Sequence, residues 1–135
     1  MKITFDDDII QCMFKKVFVL LFLLIFTAKT MAGIYEDALS KHSKVFLYFY
    51  SPGCRTCEIF DKTYATLKSE YGKDYGFVKI NVETPYGAYL IRKFKGRYVP
   101  FIILTDSKTK KSVNINHTCI MDSVCCIRAM RSFKG

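Results

Sequence analysis

The sequence predicts an α/β domain, a central mixed sheet of about four strands flanked by helices, and three observations carry that expectation. Half of the 135 residues are hydrophobic and about a quarter are charged, a balance that supports a packed core and excludes a disordered or low-complexity chain. Short runs rich in aromatic and β-branched residues alternate with stretches whose apolar residues recur every three or four positions, the pattern of strands interleaved with helices. A Cys-x-x-Cys, Cys54-Arg55-Thr56-Cys57, stands where the first of those strands gives way to a helix. The length suits one domain, on a prior of about 100 to 200 residues each, and excludes a multidomain enzyme.

Residues 1–32 read as an address and 33–135 as the domain. Val17 to Phe26, VFVLLFLLIF, is an unbroken apolar run preceded by Lys15 and Lys16, the charged and apolar regions of a secretory signal. A membrane-spanning helix needs about 20 apolar residues, and Lys29 closes this run soon after its end. Cleavage is expected after Ala32, with Ala28 as the second choice and an uncleaved, membrane-tethering signal as the alternative. Asp6, Asp7 and Asp8 put acid where an export signal carries base, so Met13 is a candidate for the true start. The location implied is exported, periplasmic or otherwise extracytoplasmic.

The elements of the domain follow in order. Ile34, Ala38 and Leu39 at helical spacing predict a short amphipathic helix over 33–41. KVFLYFY, Lys44 to Tyr50, is apolar on both faces, as expected for a central strand covered by helices. Ser51-Pro52-Gly53 breaks it, and a helix runs from Cys54 to about Tyr71. FVKINV, Phe77 to Val82, is the second strand. Pro85, placed in a first turn where its missing N–H costs nothing, opens a helix to about Phe94 with Tyr89, Leu90 and Phe94 on one side. Phe101 to Leu104 and Ser112 to Asn116 are strands joined by a polar turn at 106–111. Asp122 is placed to cap a last helix reaching about Phe133. Strand–helix–strand units favour parallel pairing of the early strands, and the short turn makes the last two an antiparallel hairpin.

The Cys-x-x-Cys carries the chemistry. At a helix N-terminus the free backbone N–H groups and the positive end of the dipole stabilise a thiolate, and Arg55 adds a full positive charge that tunes it further. Cys54 is therefore the expected nucleophile. Cys57, one turn later, is the resolving thiol that attacks the mixed disulfide formed between Cys54 and a substrate.

Over 33–135 the chain resembles the thioredoxin superfamily. The stretch Phe49 to Tyr64, FYSPGCRTCEIFDKTY, is most similar to the thioredoxin-like domain at the carboxy end of DsbD, a bacterial envelope reductase, and to small exported thioredoxins. Tyr98-Val99-Pro100-Phe101 falls where that family has its cis-proline loop. The resemblance implies a cis Pro100, with Val99 pairing its backbone with substrate. Two departures stand out: Gly53 replaces the family's Trp before the first Cys, and Tyr48 replaces the buried acid that helps deprotonate the second thiol. A tyrosine of ordinary pKa near 10 is no base at neutral pH. Glu58 is the nearest acid in sequence, but neighbouring helical positions face apart, so it is not assigned that work.

The remaining cysteines leave alternatives open. Cys126 aligns with Met130 and Phe133 on the core side of the last helix and reads as a buried apolar thiol. Cys119, in the loop before that helix, is within reach of Cys125 for a structural disulfide, with unpaired thiols the equal alternative. Zinc on Cys54, Cys57, His117, Cys119 and Cys125 is disfavoured, because only one Cys-x-x-Cys knuckle is present; no metal and no small-molecule cofactor is expected. His42 and His117 read as surface residues. Removing Lys2, Lys15, Lys16 and Lys29 from the 21 basic residues, and Asp6, Asp7 and Asp8 from the 12 acidic ones, leaves an excess of eight positive charges in the domain. They are scattered, apart from Lys108, Lys110 and Lys111 in the turn, so no nucleic-acid partner is expected. The expected activity is a thiol–disulfide oxidoreductase that reduces protein disulfides, with protein thiol clients and a recycling partner that is a candidate membrane protein. The alternatives are a disulfide-forming oxidase or isomerase and a non-enzymatic binding module with a static disulfide.

Overall fold

The computed structural model describes residues 7–26 and 33–133. The chain divides into two compact units, Met1–Ala32 and Gly33–Gly135. The first contributes one helix, α1 (Asp7–Phe26); among the described residues no helix is long and apolar enough to cross a membrane. The proposed cleavage positions Ala28 and Ala32, and Asp6 and Lys29, lie outside the described residues.

The second unit runs α2 (Ile34–Lys41), β1 (Lys44–Tyr50), α3 (Arg55–Tyr71), β2 (Tyr75–Asn81), α4 (Pro85–Lys93), β3 (Phe101–Asp106), β4 (Ser112–Asn114), a 3-10 turn (His117–Met121) and α5 (Ser123–Ser132). The strands form one mixed sheet in the order β2-β1-β3-β4. β1 is central because it is apolar at every position but its ends: Val45 to Phe49 are all fully buried. Alternation along it feeds two cores. Phe46 and Tyr48 join Phe60, Tyr64 and Leu67 of α3 and Met130 of α5 on one face. Val45, Leu47 and Phe49 join Tyr35 and Ala38 of α2 and Leu90 of α4 on the other.

β1 and β2 pair in parallel, from Lys44 opposite Tyr75 to Tyr50 opposite Asn81. β3 departs from the expected parallel pairing: it runs antiparallel to β1, with Phe49 opposite Phe101 and Lys44 opposite Asp106. The register gives the reason. β2 ends and β3 begins at the same end of β1, so the nine-residue α4, about 14 Å long, leaves and re-enters the sheet at one end. Gly87 permits this close crossing, since a Cβ there would stand 1.9 Å from the Asn81 carbonyl oxygen. β3 and β4 form the expected antiparallel hairpin.

Capping follows the sequence. The Thr84 hydroxyl accepts the Gly87 N–H at 3.0 Å and the Asp122 carboxylate accepts the Val124 N–H at 2.9 Å, each satisfying a free first-turn donor. At the far end of α5, Tyr75 donates to the Met130 carbonyl at 2.8 Å and Lys44 to that of Phe133 at 2.9 Å, which ties the last helix to the sheet.

Two face assignments need correction. Ile34 is exposed and Tyr35 takes its place in the core, and Tyr89 is exposed while Leu90 is buried. In both helices the apolar residue nearer the sheet wins, and its neighbour about 100° round the helix turns to solvent. The segment before α5 is likewise more than a loop: Cys119 and Ile120 are buried within the 3-10 turn.

Candidate active site

β1 delivers the chain to the end of the sheet at Tyr50, and Ser51-Pro52-Gly53-Cys54 reverses it, with the Cys54 N–H donating to the Ser51 carbonyl at 3.3 Å. Proline second and glycine third are the signature of a type II turn, which needs a positive φ at its third residue. Gly53 has φ +76°. That is the physical reason for glycine where the resemblance leads one to look for Trp: a bulky L-residue is strained in this conformation.

The turn makes Cys54 the N-cap of α3, its Sγ accepting the Cys57 N–H at 3.2 Å. A sulfur so placed takes the position that a capping oxygen usually fills, facing the positive end of the helix dipole. Cys54 and Cys57 are disulfide-bonded, with Cα atoms 5.2 Å apart. Cys57 is 2% exposed and Cys54 is half-buried, so the two sulfurs have unequal access to a substrate. Arg55, the first residue of α3, is exposed.

The Val99–Pro100 peptide is cis. Pro100 is fully buried, while Val99 is half-buried and packs, with Cys54, against the core cluster that contains Cys57. Because β3 starts opposite Phe49, this loop and the disulfide share one end of the sheet.

Tyr48 is completely buried beneath the disulfide and donates its hydroxyl to the Cys57 carbonyl at 3.0 Å. Burial, and then the charge of Asp61, push its pKa well above the usual tyrosine range. Asp61 is one turn beyond Cys57 on α3, and its Oδ1 lies 2.8 Å from Lys79 Nζ of β2. Lys79 is opposite Tyr48 in the parallel register, and its ammonium sits 4.3 Å from the centre of the Tyr50 ring. The sequence holds one signal for Asp61, its i, i+4 spacing from Cys57, and none for Lys79, whose partnership depends on the strand register.

A second disulfide joins Cys119 to Cys125, with Cα atoms 5.0 Å apart. Cys126 is a buried free thiol that donates to the Cys119 carbonyl at 3.2 Å, its pKa pushed up to about 11 by burial and by the charge of Asp122. The 3-10 turn that carries Cys119 packs against α3, and exposed His117 makes an edge contact with Tyr98, centroids 5.4 Å apart, beside the cis-proline loop. Among the described residues no group of three or more His, Cys, Asp or Glu is placed to hold a metal ion.

A mixed four-stranded sheet with helices on both faces, a Cys-x-x-Cys capping the helix after the central strand and a cis-proline loop at the same sheet end define a thioredoxin-type domain. The chain belongs to the thioredoxin family, whose model matches residues 26–121. Among solved structures it is similar to thioredoxin-2, described as a component of malaria parasite protein secretion machinery, at 22% identity over 65% of this chain and 82% of that one, with a TM-score of 0.53. A thioredoxin variant from Halobacterium salinarum is similar at 20% identity over 75% of this chain and 83% of that one, TM-score 0.63. Deadhead, a germline-specific thioredoxin of Drosophila melanogaster, is similar at 17% over 74% and 91%, TM-score 0.62. At these identities the likeness shows the fold. No curated protein matches the chain in sequence.

Proposed function

We propose that this chain is an exported thiol–disulfide oxidoreductase that reduces protein disulfides in a cell envelope. The observation that carries the chemistry is Cys54 capping α3 while bonded to a buried Cys57. Reduced, Cys54 attacks a client disulfide; Cys57 then attacks Cys54 and releases the client as a dithiol. The cis Val99–Pro100 loop is the surface against which a client segment docks, and Arg55 favours the Cys54 thiolate. No small-molecule cofactor enters these steps. A partner protein must return electrons to the oxidised pair. The envelope setting is supported by the apolar run after Lys15 and Lys16, and the reducing direction by the likeness of residues 49–64 to the DsbD carboxy-terminal domain.

The test is a redox titration of the full chain in glutathione buffers, with the Cys54–Cys57 peptide quantified by differential alkylation and mass spectrometry. A midpoint near the roughly −270 mV of thioredoxin is expected, and one near about −120 mV makes the protein an oxidant instead. No exchange within hours leaves a binding module with a static disulfide.

A further inference from the structure

The Cys57 proton must go to some acceptor during resolution, and the structure restricts the choice. Cys57 is 2% exposed, so its sulfur has little contact with bulk water. From β1, Tyr48 and Tyr50 approach the site; from β2, Lys79; from α3, Asp61 and Tyr64. The 3-10 turn and α5 contribute Cys119, already in a disulfide, and the buried Cys126 thiol to the same cluster. Arg55 and Glu58 are exposed at the first turn of α3.

Tyr48 is committed to the Cys57 carbonyl, and both Tyr48 and Tyr64 are pushed above the usual tyrosine range by burial and then by the charge of Asp61. They are donors at neutral pH and accept no proton. Asp61 stands one turn beyond Cys57 on α3, and its side chain as a whole is 41% exposed. Asp61 Oδ1 is shut off from solvent and makes no aligned hydrogen bond among the described residues, held instead by charge against Lys79 at 2.8 Å. Side chains four apart on a helix have Cβ atoms about 5–6 Å from each other, a gap that one water bridges for proton transfer.

We propose that Asp61, positioned by Lys79, accepts the Cys57 proton in the resolving step. The inference rests on the exchange chemistry proposed above. With Cys54 bonded to a client sulfur, the Cys57 thiol gives its proton to the Asp61 carboxylate and the thiolate attacks Cys54 Sγ. The Cys54–Cys57 bond forms as the Cys54–client bond breaks. The electron pair leaves on the client sulfur, which takes a proton and departs as a thiol. Over both steps the enzyme dithiol is oxidised by two electrons and the client disulfide is reduced by two.

The reduced full chain is mixed with glutathione disulfide as the probe and acid-quenched at intervals, and the peptide bearing Cys54 and Cys57 is resolved by mass spectrometry into dithiol, Cys54–glutathione adduct and Cys54–Cys57 disulfide. Asp61→Asn is expected to leave adduct formation within about twofold and to slow its conversion to the disulfide roughly tenfold to hundredfold at pH 7. The slowed step then rises about tenfold per pH unit as hydroxide replaces the base, where the wild type levels off. Asp61→Glu restores part of the rate, and Lys79→Met moves the low-pH limb of the conversion to higher pH. Conversion unchanged in Asp61→Asn, or slowed with the wild-type pH profile, overturns the inference and leaves the oxidoreductase reading standing. A wild type that forms no adduct overturns both. Where circular dichroism finds Asp61→Asn unfolded, Lys79→Met decides, and an unmoved limb overturns the inference.

Discussion

The domain holds two disulfides with nearly the same span, Cα to Cα 5.2 Å for Cys54–Cys57 and 5.0 Å for Cys119–Cys125, and each pairs a buried cysteine with a half-buried one. Their surroundings differ. Cys54 sits at a helix N-terminus with a backbone N–H aimed at its sulfur and Arg55 next in the chain. Cys119 and Cys125 tie a 3-10 turn to α5, with the Asp122 carboxylate between them in sequence and the Cys126 thiol donating to the Cys119 carbonyl. Positive potential at a sulfur favours the thiolate that exchange requires, and negative charge with burial disfavours it. Burial and span alone therefore do not tell a redox pair from a staple, and both pairs place a cysteine in the first turn of a helix; what sets Cys54 apart is that its own sulfur caps α3 with Arg55 next to it, where Cys125 follows the Asp122 carboxylate that caps α5.

The sharpest way to break this comparison is to remove each bond in turn. Cys57→Ser is expected to abolish turnover and to accumulate mixed disulfides through Cys54, seen as adducts on non-reducing gels. Cys119→Ser is expected to leave exchange within about twofold and to lower the unfolding free energy by about 2 kcal/mol, the entropy of a short cross-linked loop, read from urea titration. Equal loss of exchange in both variants removes the distinction.

A smaller effect comes from the thiol beside the staple. The Cys126 pKa is raised from 9.0 to about 11, so its contribution to stability is fully present below pH 9 and is lost as pH rises towards 11. Cys126→Ala should flatten that alkaline decline in a series of urea melts taken between those pH values. The smallest effect belongs to Arg55, which is exposed. Arg55→Ala is expected to slow attack by Cys54 about two- to fivefold at pH 7, and the difference should shrink in high salt.

Much of the site is legible in the sequence alone. KVFLYFY read as a central strand because no position between its ends is polar, and its two alternating faces serve two cores. Cys54 and Cys57 were legible because a helix start is a local property: a turn formed by Pro52 and Gly53, then helical spacing. Ile34 and Tyr89 were misplaced because a one-residue rotation of a short helix preserves its periodicity, and only the sheet beneath decides which neighbour is covered. The antiparallel β3 was missed for a similar reason, since the length of α4 does not state which end of the sheet it returns to.

What the sequence determined by itself is whatever spans a few residues: strand and helix identities, the cap at Asp122, and the dithiol at the start of α3. What the tertiary structure decided is whatever depends on register and crossing. It paired Cys119 with Cys125 by folding the 3-10 turn onto α5, and it set Lys79 opposite Tyr48 so that its ammonium meets Asp61. Local propensity is a sum over neighbours in the chain. A charge pair between a helix and a strand 18 residues apart in sequence exists only once backbone hydrogen bonding has fixed which residues stand opposite one another.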